Sequence, residues 1–152
     1  MNDMTETMTG GCQCGRVRYA LEAEDRKVTL CHCRMCQRAV GGPFAVFKAV
    51  PRAALRWTGA EPRRFQSSPI AQRGFCPDCG TPLTFEFLED SDGVELTLGS
   101  FDAPHLLHPV EEFAIESRHP FWAGHGDLPG LRSEENANVT KRWMAKVGKL
   151  PE

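Results

Sequence analysis

At 152 residues the chain fits one domain with a modest core. Its formal net charge of −2 leaves no broad basic field, which argues against a role in coating nucleic acid. The opening "MNDMTETMTG" has no charged region followed by an apolar stretch, so no signal peptide, no membrane span and a cytoplasmic location are expected.

Residues 1–9 read as a disordered lead-in. "RVRYALEA" sets Val17, Tyr19 and Leu21 on one face and predicts a strand. "KVTL" predicts a second strand, which runs straight into a cysteine cluster, and "PFAVFKAV" a third, stopped by Pro51. Arg34 to Val40 between them reads as a helix. "ALRWTG" and "RRFQSS" read as a short strand pair around Gly59 to Pro62. In "GTPLTFEFLEDSDGVELTLGSF", Leu83, Phe85 and Phe87 alternate out and Val94, Leu96 and Leu98 alternate back, with Asp92-Gly93 as the turn. "EEFAIES" reads as a last strand, and Ser133 to Val147 as a helix. The result is a mainly β single domain without internal repeats, with 123–152 as a partly helical extension.

Seven cysteines are many for a reduced protein of this size, and they fall into three tight clusters. These are Cys12-x-Cys14, Cys31-x-Cys33-x-x-Cys36 and Cys76-x-x-Cys79. The clusters lie among glycine and polar residues, where metal binding is the leading explanation. "FCPDCGTPL" has the composition of a zinc knuckle, and two knuckle thiolates need two more to close a tetrahedral site. Seven thiols divide as four plus three, with Cys12, Cys14, Cys76 and Cys79 able to close one structural zinc. Cys31, Cys33 and Cys36 then make a three-sulfur site with an open position, the arrangement of a catalytic zinc. Spacing alone also allows a member of the middle cluster to join the knuckle. No βαβ context supports redox use of Cys76 and Cys79.

"GCQCGRVRY", "CHCRMCQRAVGGPF" and "RGFCPDCGTPLTF" together resemble the glutathione-dependent formaldehyde-activating (Gfa-like) family, which includes the centromere protein V type. The resemblance covers roughly residues 10–122. It implies a β-rich fold of the Mss4-like, β-tent kind. It also implies structural zinc on Cys12, Cys14, Cys76 and Cys79 and catalytic zinc on Cys31, Cys33 and Cys36. The activity it implies is that of a carbon–sulfur lyase joining glutathione and formaldehyde, with a small thiol and an aldehyde as partners. Neither nucleic acid nor a membrane is expected as a partner.

Glutathione has two carboxylates, which arginines suit through bidentate contacts. Arg34 and Arg73, near the clusters, are the candidates, against a reading as surface residues. Gln37 can hydrogen-bond a ligating sulfur. His32 lies between two ligands, and alternation in an extended stretch turns it away from them. Phe44, Phe47 and Trp57 can wall a pocket, with core packing as the plainer reading. His105, His108, His119 and His125 read as solvated or hydrogen-bonded residues. Lys141, Arg142, Lys146 and Lys149 read as a solvated helix face. Ser67, Ser68 and Ser117 have no paired base. The rival function is a non-catalytic interaction module built on the same zinc fold, and a second rival is an iron–sulfur or redox protein using the three-cysteine cluster.

Overall fold

The computed structural model describes residues 5–122 and 128–150. In chain order the elements are β1 (Glu6–Gly11), β2 (Arg18–Ala23), β3 (Lys27–Cys31), α1 (Arg34–Val40), β4 (Ala45–Pro51), β5 (Leu55–Trp57), β6 (Arg63–Ser68) and β7 (Ala71–Phe75). There follow β8 (Pro82–Phe87), β9 (Gly93–Thr97), β10 (His108–Phe113), β11 (Gly130–Leu131) and α2 (Ala137–Val147), with short 3-10 turns between several of them. Two sheets result, in the orders β1-β2-β5 and β11-β10-β3-β4-β9-β8-β7-β6. Pairing is antiparallel except where β10 runs parallel to β3 and β11.

The period of two decides which face each residue serves. On the larger sheet, Val28, Val50, Val94 and Leu96 face one way and pack with Tyr19 and Leu21 of β2. The small sheet therefore covers the back of the large one. Tyr19 meets Trp57 and Phe101 edge-on at 6.0 and 5.6 Å between ring centroids, and its hydroxyl lies 2.8 Å from Ser100 Oγ. Trp57 thus packs against this core and is not part of the lining of the front cavity. On the front, Arg73, Phe85, Glu95 and Ala49 are successive cross-strand neighbours in one row, and Thr29 and Phe47 are partners beside it. This front face is where chemistry is possible.

Several expectations are corrected. Residues 6–9 are ordered in β1, because every residue of that strand pairs with β2 and Met8 packs on the core. The segments at 55–57 and 63–68 do not pair with each other: β5 adds to β2, while β6 pairs with β7. The β8–β9 connection is residues 88–92, with Asp90 at φ 55°. Leu98 has left the strand for a 3-10 turn. The strand expected at "EEFAIES" begins earlier, at His108, and Ile115–Ser117 is a 3-10 turn. In the extension, β11 joins the large sheet and α2 packs on Ile70 and Ala71 through Trp143, so both share the core of the domain. α2 itself begins at Ala137, capped by Asn136, whose side chain accepts from the Val139 amide at 3.1 Å. Arg142, expected on a solvated face, is buried. It donates to the carbonyls of Glu89 and Asp90 and lies 4.1 Å over the Phe87 ring. No described helix is long and apolar enough to cross a membrane.

Candidate active site and metal centres

The β1–β2 connection carries Cys12 and Cys14, and the β7–β8 connection carries Cys76 and Cys79. The two turns are built alike. The Gly15 amide donates to the Cys12 carbonyl at 3.1 Å, and the Gly80 amide to the Cys76 carbonyl at 2.9 Å. Gly15 and Gly80 sit at φ 82° and 75°, a left-handed conformation that favours glycine. Turns so closed aim their sulfurs inward, and all four Sγ atoms lie within 4.8 Å of one another. Cys12 to Cys14 is 3.5 Å and Cys14 to Cys76 is 3.7 Å. Tetrahedral zinc with bonds of about 2.3 Å needs sulfurs about 3.8 Å apart, so this set fits the ion. The amide of Val17 donates to Cys12 Sγ at 3.3 Å. Hydrogen bonds from the Thr81 side chain and amide, and then from the Cys14 amide, pull Cys79 down to about 5. Cys12 and Cys76 are buried and Cys14 and Cys79 exposed, so the four sulfurs offer a complete tetrahedral donor set at the surface of the fold.

The middle cluster forms where β3 runs into α1. Cys31 ends the strand, Cys33 caps the helix and Cys36 lies on its first turn. Cys33 Sγ accepts the Cys36 amide at 3.3 Å, so the capping bond and the placement of the sulfur are one contact. Gly41 ends the helix in the left-handed conformation. The three sulfurs also lie within 4.8 Å of one another. Hydrogen bonds from Cys31 and Cys36, then the Cys36 amide and the Arg73 charge, pull Cys33 down to about 3 despite its burial. Its bond to Cys33, and then one to Cys36 and burial, push Cys31 up. One thiolate is thus favoured even without a metal, and Cys31, Cys33 and Cys36 are the residues able to hold zinc here.

These three cysteines line a cavity of about 270 Å³ on the front of the large sheet. Arg73 reaches into it, donating from an Nη nitrogen to Cys36 Sγ at 3.2 Å and lying 5.0 Å from the Phe85 ring centroid. Its charge faces the sulfurs, so it balances thiolate charge, a different task from clamping a free carboxylate. Phe47 lines the cavity as well. Glu95, two strands from Arg73 in the same row, is the residue that the sequence reading missed. Burial first, then the charge of Cys36, pushes its carboxyl up to about 7. Alternation already placed Glu95 opposite Val94 and Leu96, but only the register puts that position beside the sulfurs.

Arg34 and Gln37 are not brought into this cavity. They line a separate shallow cleft with His119 and Trp122. Gln37 is buried and structural. Its Nε2 donates to the carbonyls of His32 at 2.6 Å and Ser117 at 3.0 Å, while Oε1 accepts from Arg34 and lies 3.0 Å from His119 Nε2. His32 turns away from the sulfurs, as alternation predicts. Its Nε2 lies 3.3 Å from Glu112 Oε1, and Phe44 stacks at 5.5 Å. The other oxygen of Glu112 accepts from Arg118. Ser67 and Ser68 lie at the cavity wall, and Ser67 Oγ donates to the Ala71 carbonyl. His125 lies outside the described residues.

Comparisons with known proteins agree with this geometry. A Schizosaccharomyces pombe protein named an uncharacterized lyase is 30% identical over 78 residues. That stretch is 51% of this chain and 56% of the relative, so the chain spans little more than half the length of the curated relative it matches. A crystal structure of a Rhodobacter sphaeroides protein superposes with a TM-score of 0.54 at 20% identity, covering 82% of this chain and 100% of that one, a likeness of fold. The model of the glutathione-dependent formaldehyde-activating enzyme family matches residues 7–117, a span that takes in all seven cysteines. The chain therefore belongs to the glutathione-dependent formaldehyde-activating enzyme family and has its Mss4-like, mainly β fold.

Proposed function

We propose that this chain is a zinc-dependent enzyme of the carbon–sulfur lyase class that joins a small thiol to formaldehyde or a related aldehyde, and runs the reverse step. The reading rests on one observation: the three-cysteine cluster offers three donors and lines a cavity, whereas the four-cysteine cluster offers a complete set of four. Two zinc ions per chain are proposed, one structural and one at the cavity. Zinc at Cys31, Cys33 and Cys36 supplies an open position and lowers the pKa of a thiol that takes it.

The chain's own residues do the rest. Addition of a thiol R–SH to an aldehyde forms one carbon–sulfur bond, and the thiol proton ends on the aldehyde oxygen. A group that can both take and return that proton near neutral pH is needed. Glu95, with its carboxyl held near 7 in the same cavity, meets that description. Arg73 offsets the negative charge of the sulfurs. Phe47 and Phe85, beside them on the sheet face, give the aldehyde an apolar surface to rest on. Glutathione is the thiol that the family description names, and a reducing cytoplasm suits seven free thiols.

The test is zinc per chain on gently purified protein, for the natural sequence and Cys33→Ser, alongside thiol–formaldehyde addition above the uncatalysed rate. Two zincs falling to one with the fold and Tm retained, and loss of addition, support the reading. One zinc in both proteins, with no rate above background, refutes it and transfers the case to the interaction-module alternative.

A further inference from the structure

The family match ends at residue 117, but the cavity does not. Its floor is the front of the large sheet, with Phe47, Phe85 and Phe87. Its roof is α2, beyond the match: Val139 and Trp143 lie over the floor with Ile70 beside them, and Leu131 of β11, Asn136 and Asn138 complete the lining at that end. The sulfur end lies within the family match and the opposite end beyond it. What fills that end decides which substrate body fits.

The charges in the cavity are not those a tripeptide needs. Among the described lining residues, Arg73 is the cation, and its guanidinium is engaged with Cys36 Sγ and the Phe85 ring. Facing it are the carboxyls of Glu95 and, at the mouth, Glu111, which accepts from Thr29 Oγ1 at 2.8 Å. Glu112 also borders the space but is held by His32 and Arg118. Glutathione brings two carboxylates and one ammonium; Glu95 and Glu111 suit the ammonium, but among the described lining residues no second cation receives either carboxylate. That is unfavourable, because an unpaired charge taken out of water costs several kcal/mol. Size agrees: about 270 Å³ lies just below the roughly 300 Å³ at which pockets begin to bury drug-sized ligands. Formaldehyde needs almost none of it, so the body of the thiol takes the rest.

We infer that the thiol of this chain is a small uncharged one with an aromatic or branched aliphatic body, received between the sheet floor and α2, and that Glu95 and Glu111 turn anionic thiols such as glutathione away. This rests on the carbon–sulfur reading above for the thiol's role, and on the cavity alone for its body.

The experiment measures binding to the zinc-loaded protein by calorimetry and by quenching of tryptophan emission, since Trp143 lines the site. The probes are benzyl mercaptan, benzyl alcohol, which lacks the sulfur, mercaptoacetate and glutathione. Benzyl mercaptan is expected to bind about tenfold or more tightly than either anionic thiol, and benzyl alcohol to bind detectably. Ala49 is exposed on the cavity floor, so Ala49→Leu fills space without touching the core, and it should weaken both benzyl probes about fivefold or more. Glu95→Gln should narrow the gap between benzyl mercaptan and mercaptoacetate about fivefold. Glutathione binding as tightly as benzyl mercaptan, or benzyl probes indifferent to Ala49→Leu, overturns the inference. The two readings separate cleanly. Benzyl probes that bind as expected, without formaldehyde addition above background, uphold this inference and defeat the lyase reading. Rapid addition to glutathione with none to benzyl mercaptan does the reverse.

Discussion

Glu112→Gln is the most informative single change outside the cysteines. Glu112 is 2% exposed, with Oε1 3.3 Å from His32 Nε2 and Oε2 accepting from Arg118. His32 lies between two candidate zinc ligands, and its amide donates to the Phe113 carbonyl at 2.9 Å. The carboxylate therefore fixes the chain segment that carries Cys31 and Cys33. A hydrogen bond to a charged group contributes about 1.5–3 kcal/mol and a neutral one about 0.5–1.5, so two bonds lose about 2 kcal/mol on neutralisation. With its oxygen kept for Arg118, the glutamine turns its NH2 to His32, whose ring must move its proton to Nδ1 to accept, which brings the cost to about 2–3 kcal/mol. For a domain of this size each kcal/mol moves Tm by about 2–4 °C, so a fall of about 4–12 °C is expected by differential scanning calorimetry. Zinc should also leave the three-cysteine site about tenfold faster, read with a chromogenic chelator, while the four-cysteine site is unaffected. A Tm within about 1 °C of the natural protein and an unchanged release rate would show that Glu112 neither holds His32 nor supports the site.

Other expectations follow from single contacts. Leu83 is fully buried beside Cys12, Val17 and Cys76, so Leu83→Ala should cost about 3 kcal/mol in urea unfolding; a loss below about 1 kcal/mol contradicts the packing described. Glu95 is held near 7 against an ordinary value of 4.5, so the folded state keeps a proton that the unfolded state releases. Its contribution to stability is therefore present below about pH 4.5, falls as pH rises to about 7, and is lost above. Glu95→Gln should flatten that fall in a pH series of melts, and an unchanged slope would show the carboxyl to be unperturbed. Arg142→Met removes the donors to the Glu89 and Asp90 carbonyls, so α2 amides should exchange with deuterium about tenfold faster while β3 and β4 are unchanged. Equal protection would mean that Trp143 alone holds the helix.

What the sequence made legible was local. Period-two alternation at Val17, Tyr19 and Leu21 identified β2, and the four-plus-three division of the cysteines, one of those that spacing allowed, is the one that the fold brings together. The helix Arg34–Val40 was readable from one end to the other. What was not legible was partnership over distance. "ETMTGG" has no apolar alternation, and it is a strand because β2 is beside it. β5 and β6 looked like partners because a turn-like stretch joins them, yet β5 pairs with β2 and β6 with β7. Arg34 and Arg73 were equally plausible by proximity in sequence. Only the register of β7 with β8 separates them, by placing Arg73 on the face that holds Cys36. Glu95 and Arg142 were hidden for the same reason: a charged residue in a strand or helix reads as solvated until the element covering it is known.

The two cysteine sites divide labour through where their chain segments come from. Cys12 and Cys14 lie on the small sheet's first turn, and Cys76 and Cys79 on a turn of the large sheet. A metal held by all four fastens one sheet to the other, so its loss should loosen the interface that Leu83 and Val17 fill. The other three cysteines come from one short stretch, the end of β3 and the start of α1, and fasten nothing distant. A site made this way needs no fourth protein ligand to hold the fold together, and under the proposed function its remaining side takes the substrate. It must instead be held from behind, by Gln37 on the His32 and Ser117 carbonyls and by Glu112 on the His32 ring. That support is why Gln37, outside the cavity, and Glu112, at its border, matter to what happens inside it.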